Sequence, residues 1–288
     1  MNPQKFVVAV SGGVDSIVLL HMLQTRKRGH VSYIVAHFDH GMRVNSASDA
    51  EFVKQLAKSY GLPFKSQQGN LGSAASEATA RAARYAYLRK IKDEYKAEKI
   101  ITAHHQDDVI ETMVINIIRG TGPRGLAPMQ HQTDILRPLL SKRKKELYNY
   151  ATAHGLEWRE DDTNTDENYL RNYIRMNIMP KLEPAFSDLL ARNESIEKLY
   201  IDIDMRVAGI MYGTRTIYRP KFVFYPFLVQ REIVRAWLVK SGITDLDKQL
   251  IERITVAIKT LPIGKKIDIS GEHWLKSEKQ NVYISAKM

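Results

Sequence analysis

The chain has 288 residues, enough for roughly two domains, and 43 Lys and Arg against 32 Asp and Glu give it a net charge of +11. With 44% hydrophobic and 26% charged residues it is neither a disordered tail nor a collagen-like rod, and having no cysteine it lacks disulfides, Cys-ligated metal, iron–sulfur clusters and thiolate chemistry. No apolar run approaches the ~20 residues that span a bilayer and the first residues do not form a signal peptide, so a soluble cytoplasmic protein with no membrane partner is expected.

Residues 6–10 form a short apolar run that ends in a glycine pair, and 17–23 read as helical. The same alternation returns three times: 31–37 then 47–60, 62–67 then 73–95, and 99–103 then 107–119. Short β-branched strands alternating with longer amphipathic segments predict βαβ units and a parallel, doubly wound α/β sheet. In such sheets ligands bind beyond the carboxyl ends of the strands, here after Val10, His37 and Ala103.

A turn-rich stretch over 120–138 leaves the sheet. Ser141 is placed to cap a helix over 142–154 that Gly155 closes. An acidic loop at 160–166 precedes a helix over 169–179, which Pro180 is expected to stop, and 182–209 is again helical. Helices are then predicted over 228–240 and 247–259, with strands at 266–269 and 281–285. These patterns divide the chain into a larger domain, 1–210, with a helical linker at its end, and a smaller, mostly helical C-terminal domain, 211–288.

Charge is unevenly spread: residues 1–100 carry +7, 101–200 carry −2 and 201–288 carry +6. A basic protein with an acidic middle suits a polyanionic partner around a site that also needs carboxylates.

The segment Ser11-Gly12-Gly13-Val14-Asp15-Ser16 sits between a predicted strand and helix. Its glycines let backbone approach a ligand, the first helical amides point at an anion, and the serines add hydroxyl donors. No Gly-Lys-Ser/Thr follows, so it is not a Walker A loop, and it is not the G-x-G-x-x-G of dinucleotide binding. At these residues the sequence resembles the PP-loop ATP pyrophosphatases, which grip the pyrophosphate end of ATP and transfer AMP to an oxygen. The resemblance implies ATP binding by Ser11 through Ser16, with Asp15 helping to hold Mg²⁺.

Further blocks narrow it: Ala36-His-Phe-Asp-His-Gly-Met-Arg43, Ala103-His-His-Gln-Asp-Asp-Val-Ile-Glu-Thr112, Arg119-Gly-Thr-Gly-Pro-Arg-Gly-Leu126, Trp158 to Asp166 and Tyr169-Leu-Arg-Asn-Tyr-Ile-Arg175. Together they resemble the tRNA(Ile)-lysidine synthetases over most of 6–183, which implies that 1–210 is the catalytic domain, and more weakly over 228–275, which implies that 211–288 is the family's tRNA-binding C-terminal domain. The resemblance implies adenylation of the C2 oxygen of the wobble cytidine in a CAU anticodon of an isoleucine tRNA. The ε-amine of free L-lysine then attacks C2, giving lysidine, AMP and diphosphate. It also implies that Asp108 and Glu111, three apart on one helix face, bind the lysine, and that Arg171, Asn172 and Arg175 align the tRNA.

Asp39 stands at another strand end as a Mg²⁺ ligand or as the acceptor of the amine proton, and both roles stay open. His37, His40, His104 and His105 lack the helix spacing of common zinc sites and fit better as nucleotide contacts or strand-end residues, with His37 assigned to ATP. Arg81 and Arg84, beside Tyr85 and Tyr87, and the run Lys142-Arg143-Lys144-Lys145 are candidate RNA phosphate contacts. Val109 and Ile110 stand where the family has a polar and a small residue, so that helix face is expected to pack. The chain is expected to be a short form of the family, and a homodimer is compatible with it. The competing readings are an ammonia-using amidating ligase, another tRNA-modifying enzyme of the same loop family, and a catalytically silent RNA-binding protein.

Overall fold

A computed structural model describes residues 4–26, 29–39, 46–69, 77–129, 133–160, 170–213, 215–243 and 246–287. His40, the start of the predicted helix 73–95 and the loop 161–169 lie outside these residues. The chain forms two compact units, Met1–Ile118 with Pro128–Leu190, and Arg119–Ala127 with Ala191–Met288.

In the first unit, strands β1 (Gln4–Ala9), β2 (Val31–Asp39), β3 (Phe64–Gln68), β4 (Lys99–Ile101) and β5 (Ile135–Leu136) alternate with helices α1 (Val14–Thr25), α2 (Ser46–Ser59), α3 (Glu77–Glu94), α4 (Gln106–Ile118) and α5 (Lys144–Ala153). All strand pairs are parallel, in the order β3-β2-β1-β4-β5. Both faces of β1 are covered. Val8 packs with Val14, Ile17, Val53 and Leu147 of α1, α2 and α5, whereas Val7 packs with Leu88 and Ile91 of α3. That explains why the strands read as continuous apolar runs rather than alternating ones. The fold is the doubly wound sheet expected, and its order reverses between β1 and β4, which opens a crevice at their carboxyl ends.

Two boundaries differ from expectation. Helix α5 begins at Lys144 rather than 142, with Arg143 as its N-cap, whose amide donates to the Glu146 carboxylate at 2.8 Å. Pro180 does not stop the helical run. The chain continues through α6 (Leu170–Tyr173), a π-helical turn (Ile174–Ile178), α7 (Met179–Leu182), a 3-10 turn (Glu183–Ala185) and α8 (Phe186–Ile210). Pro180 sits in the first turn of α7, where no intrahelical N–H is needed, and the widened π turn before it relieves the ring's clash with the preceding turn.

The second unit adds β6 (Thr216–Tyr218), α9 (Arg219–Phe222), α10 (Phe227–Lys240), α11 (Lys248–Thr260), β7 (Lys266–Ser270), β8 (His273–Ser277) and β9 (Asn281–Ala286). Its strands form an antiparallel sheet in the order β6-β9-β8-β7. Trp237, Leu238, Ile254, Ile258, Leu275 and Val282 form its core. The segment Arg119–Ala127 is fastened here by Arg124, which donates to both carboxylate oxygens of Asp204 at 3.1 and 2.9 Å and to Glu232 at 2.8 Å. The predicted division at 210/211 falls at the end of α8, and the compact units divide within that helix at 190/191.

Candidate active site at the ends of β1 and β4

The loop leaving β1 is shaped by Ser16. Its buried hydroxyl accepts the amide N–H of Ser11 and of Gly12, both at 3.2 Å, and donates to the Gly13 carbonyl at 2.9 Å. Gly12 has φ +98°, a left-handed conformation that side chains rarely adopt, which is what the glycine is for. Gly13 is the N-cap of α1 with no side-chain cap, and Val14 packs into the core. The first amides of α1 therefore lack a side-chain acceptor from the cap, and an anion suits them. His37, buried at the end of β2, meets the Val10 carbonyl through Nδ1 at 2.9 Å and so braces the start of the loop.

Asp15 is the centre of charge. Its Oδ2 lies 2.6 Å from Lys144 Nζ and 3.7 Å from His105 Nε2. Burial pushes the Asp15 carboxyl up, but His105 and Lys144 outweigh it and hold the group below the usual carboxylate range. His105, which follows β4, is buried among three carboxylates, with Asp108 Oδ2 at 3.5 Å and Asp107 Oδ2 at 3.7 Å completing the set. Burial pulls this imidazole down, and Asp15 and Asp108 more than restore it, so its pKa is raised.

Its neighbour is the opposite case. His104 is pulled down to about 2 by burial, then by Arg81, Arg137 and Arg84. It is neutral at physiological pH, with Nδ1 2.8 Å from the Thr102 hydroxyl and Nε2 3.5 Å from Arg81. Arg81 and Arg84 also lie over the ring of Tyr85.

On α4, Asp108 accepts the His105 amide at 3.0 Å, fixing the turn after β4. Glu111 is buried and held by both nitrogens of an Arg175 fork, at 2.8 and 2.9 Å, with Arg171 Nε at 3.8 Å. Arg175 belongs to the π turn, whose Ile174 packs on Ile110 and Ile115. Asn172 is buried beside it, and Arg171 also donates to Thr112 at 3.3 Å. Val109 and Ile110 are buried, as expected of a packing face.

A family model described as a PP-loop domain matches residues 1–182. A tRNA(Ile)-lysidine synthase of Haemophilus ducreyi is 31% identical over 98% of this chain and 68% of that protein. One from Actinobacillus pleuropneumoniae is 29% identical over 99% of the chain and 71% of that protein. The chain belongs to the tRNA(Ile)-lysidine synthase family. A Thermotoga sp. synthase reaches 36% identity over 67% of the chain and 49% of its own length. The solved U34-tRNA thiolase NcsA from Methanococcus maripaludis, with its [4Fe-4S] cluster, shares the fold at TM-score 0.56 and 18% identity, over 69% of this chain and 73% of that one. This family member has no cysteine with which to hold such a cluster.

The structure thus gathers Ser11 through Ser16, Asp108 and one residue of the basic run, Lys144, into one site. Of the rest of that run, Lys142 pairs with Glu146 at 2.9 Å, Arg143 lies over Phe186, reaches Glu183 at 3.2 Å and has Nε 3.4 Å from Asp107, and Lys145 is exposed. Asp39 ends β2, its backbone oxygen accepting the Gly69 amide at 2.7 Å. Both His105 and Lys144 are candidates in the sequence, but two pairings are not legible there: His105 among the carboxylates, and Lys144 on Asp15. The pair His104-His105 followed by Asp107-Asp108 was the available signal for the first. Nothing local distinguishes Lys144 from its basic neighbours.

Proposed function

We propose that this chain makes lysidine: it adenylates the C2 oxygen of the wobble cytidine in a CAU-anticodon isoleucine tRNA with ATP, then joins free L-lysine at C2. The observation that carries this is the Ser11–Ser16 loop, with unclaimed helix amides, facing the acidic and imidazole cluster of the β4 end, within a family of that activity. ATP would lie with its phosphates on the Val14 and Asp15 amides at the start of α1 and on the hydroxyls of Ser11 and Ser16, with Gly12 and Gly13 letting it approach the backbone and His37 bracing the loop beneath it.

The fit to Mg²⁺ rests on Asp15. Its Oδ1 is buried without a hydrogen-bond partner, and among the described residues no three His, Asp or Glu are arranged to hold a metal alone. That donor set suits an ion that takes one or two carboxylates and completes its shell with phosphate oxygens and water. When bound, Mg²⁺ supplies charge neutralisation at the phosphates. Asp39 is the second candidate ligand, or the acceptor of the lysine amine proton.

Asp108 and Glu111 are proposed to receive the cationic lysine, for which one half-buried and one buried carboxylate are the natural complement. Arg81 and Arg84, with neutral His104 between them and the strand end, support contact with RNA phosphate near the reacting base, and Arg171, Asn172 and Arg175 would set the RNA against α4.

The test is nucleoside mass analysis of isoleucine tRNA after incubation with the protein, ATP, magnesium and isotopically labelled lysine. Labelled lysidine at the wobble position is expected. Unmodified cytidine, with no diphosphate released, would overturn the assignment.

A further inference from the structure

We propose that Lys144 binds the β- and γ-phosphates of ATP and the departing diphosphate, and is not an RNA contact. This rests on the assignment of the Ser11–Ser16 loop as the triphosphate cradle.

Of the four basic residues at 142–145, Lys144 is the one turned toward that cradle. Its ammonium is 2.6 Å from Asp15, the second residue of α1, whose first amides form the cradle floor. The stem is well anchored: the Lys144 amide donates to Asp107 Oδ2 at 2.8 Å, and the Gln106 amide donates to the Lys142 carbonyl at 2.9 Å. The start of α5 is thereby sewn to the start of α4. The side chain is about one-third exposed, so its ammonium can be reached by a ligand. A flexible four-carbon stem with a compact charge is suited to following phosphate oxygens.

The chemistry calls for that charge. In adenylation the cytidine C2 oxygen attacks the α-phosphorus, and the bond from the α-phosphorus to the α–β bridging oxygen breaks. The electron pair stays on the bridging oxygen, which leaves as part of diphosphate. Negative charge grows there in the transition state, where a nearby ammonium stabilises it. Asp15 serves as the counter-ion of Lys144 when no nucleotide is bound, and the lysine exchanges that carboxylate for phosphate.

The full chain carrying Lys144→Met, and the charge-conserving Lys144→Arg, should be compared with wild type. The readouts are diphosphate release as ATP is varied, direct binding of labelled diphosphate with magnesium by equilibrium dialysis, and tRNA affinity by filter binding. K144M is expected to weaken diphosphate binding and raise KM for ATP by about ten- to hundredfold, the loss of a hydrogen bond to a charged group. It should also lower kcat and leave tRNA affinity unchanged, with K144R recovering part of each loss. Wild-type diphosphate binding in a folded K144M would overturn the proposal, and reduced tRNA affinity with it would return Lys144 to the RNA. A melting curve identifies misfolding, in which case K144R supplies the test: loss of diphosphate binding with the cation retained would count against the proposal. If wild type forms no lysidine but K144M still loses diphosphate, the functional assignment has failed and this inference stands.

Discussion

Two adjacent imidazoles of opposite character lie at the end of β4. His104 has a folded pKa of about 2 against an ordinary 6.5. Below pH 6.5 the unfolded chain takes up a proton that the folded protein refuses, so stability falls as pH drops, by at most about 1.4 kcal/mol per unit. Above pH 6.5 the group contributes nothing to the pH dependence. His105, whose pKa is raised, acts in the reverse sense: its stabilisation is complete below its unfolded value and is lost as pH rises through the folded one. The two contributions therefore fall in different pH windows, that of His104 below pH 6.5 and that of His105 above it. His104→Gln is expected to flatten the acid side of the stability curve between pH 6 and 5 relative to wild type, measured by urea unfolding at each pH. An unchanged difference across that range would mean that His104 titrates normally.

At the scale of elements, the contact between α4 and the π turn sets Glu111 against Arg175. The carboxylate is 2% exposed, so Arg175→Met leaves a buried charge without its main partner. Because the guanidinium itself is 38% exposed, the cost should lie below the ~3–5 kcal/mol of a fully buried pair, at about 2 kcal/mol. If Glu111 also receives the substrate ammonium, free lysine should raise the melting temperature of R175M more than that of wild type, since ligand binding restores the missing cation. Equal shifts in the two proteins would remove Glu111 from the lysine site.

The elements differed in how far they could be foreseen. β1 to β4 and their helices were legible because each strand is buried on both faces, leaving continuous apolar runs between amphipathic segments. β5 has two residues and β6 three, too short for any period to show. The π turn escaped because proline normally argues for a helix end, and the packing of Ile174 and Met179 with Ile110 and Ile115 is not visible in a local pattern. The Ser11–Ser16 cradle announced itself through local glycine and serine chemistry. Lys144 on Asp15 did not, because that ion pair joins residues 129 apart.

For the whole molecule, the net charge of +11 predicts that RNA and nucleotide binding respond differently to salt. Several Lys and Arg contacts to phosphates release counter-ions, so tRNA affinity should fall by about tenfold or more between 50 and 200 mM KCl. The KM for ATP, set by a half-buried cradle of amides and hydroxyls, should change far less. Filter binding and steady-state kinetics over the same salt series check this. Parallel losses would place the nucleotide in the same exposed field as the RNA.

The fastening of Arg124 also has a bearing on synthesis. Its partners Asp204 and Glu232 lie 80 and 108 residues further on. At translation rates of about 5–20 residues per second, on the order of 5–20 s pass between the emergence of this arginine and that of its last carboxylate. During that interval the nascent loop is held first by no carboxylate of its final set and then, once Asp204 has been made, by that one before Glu232 completes the fastening.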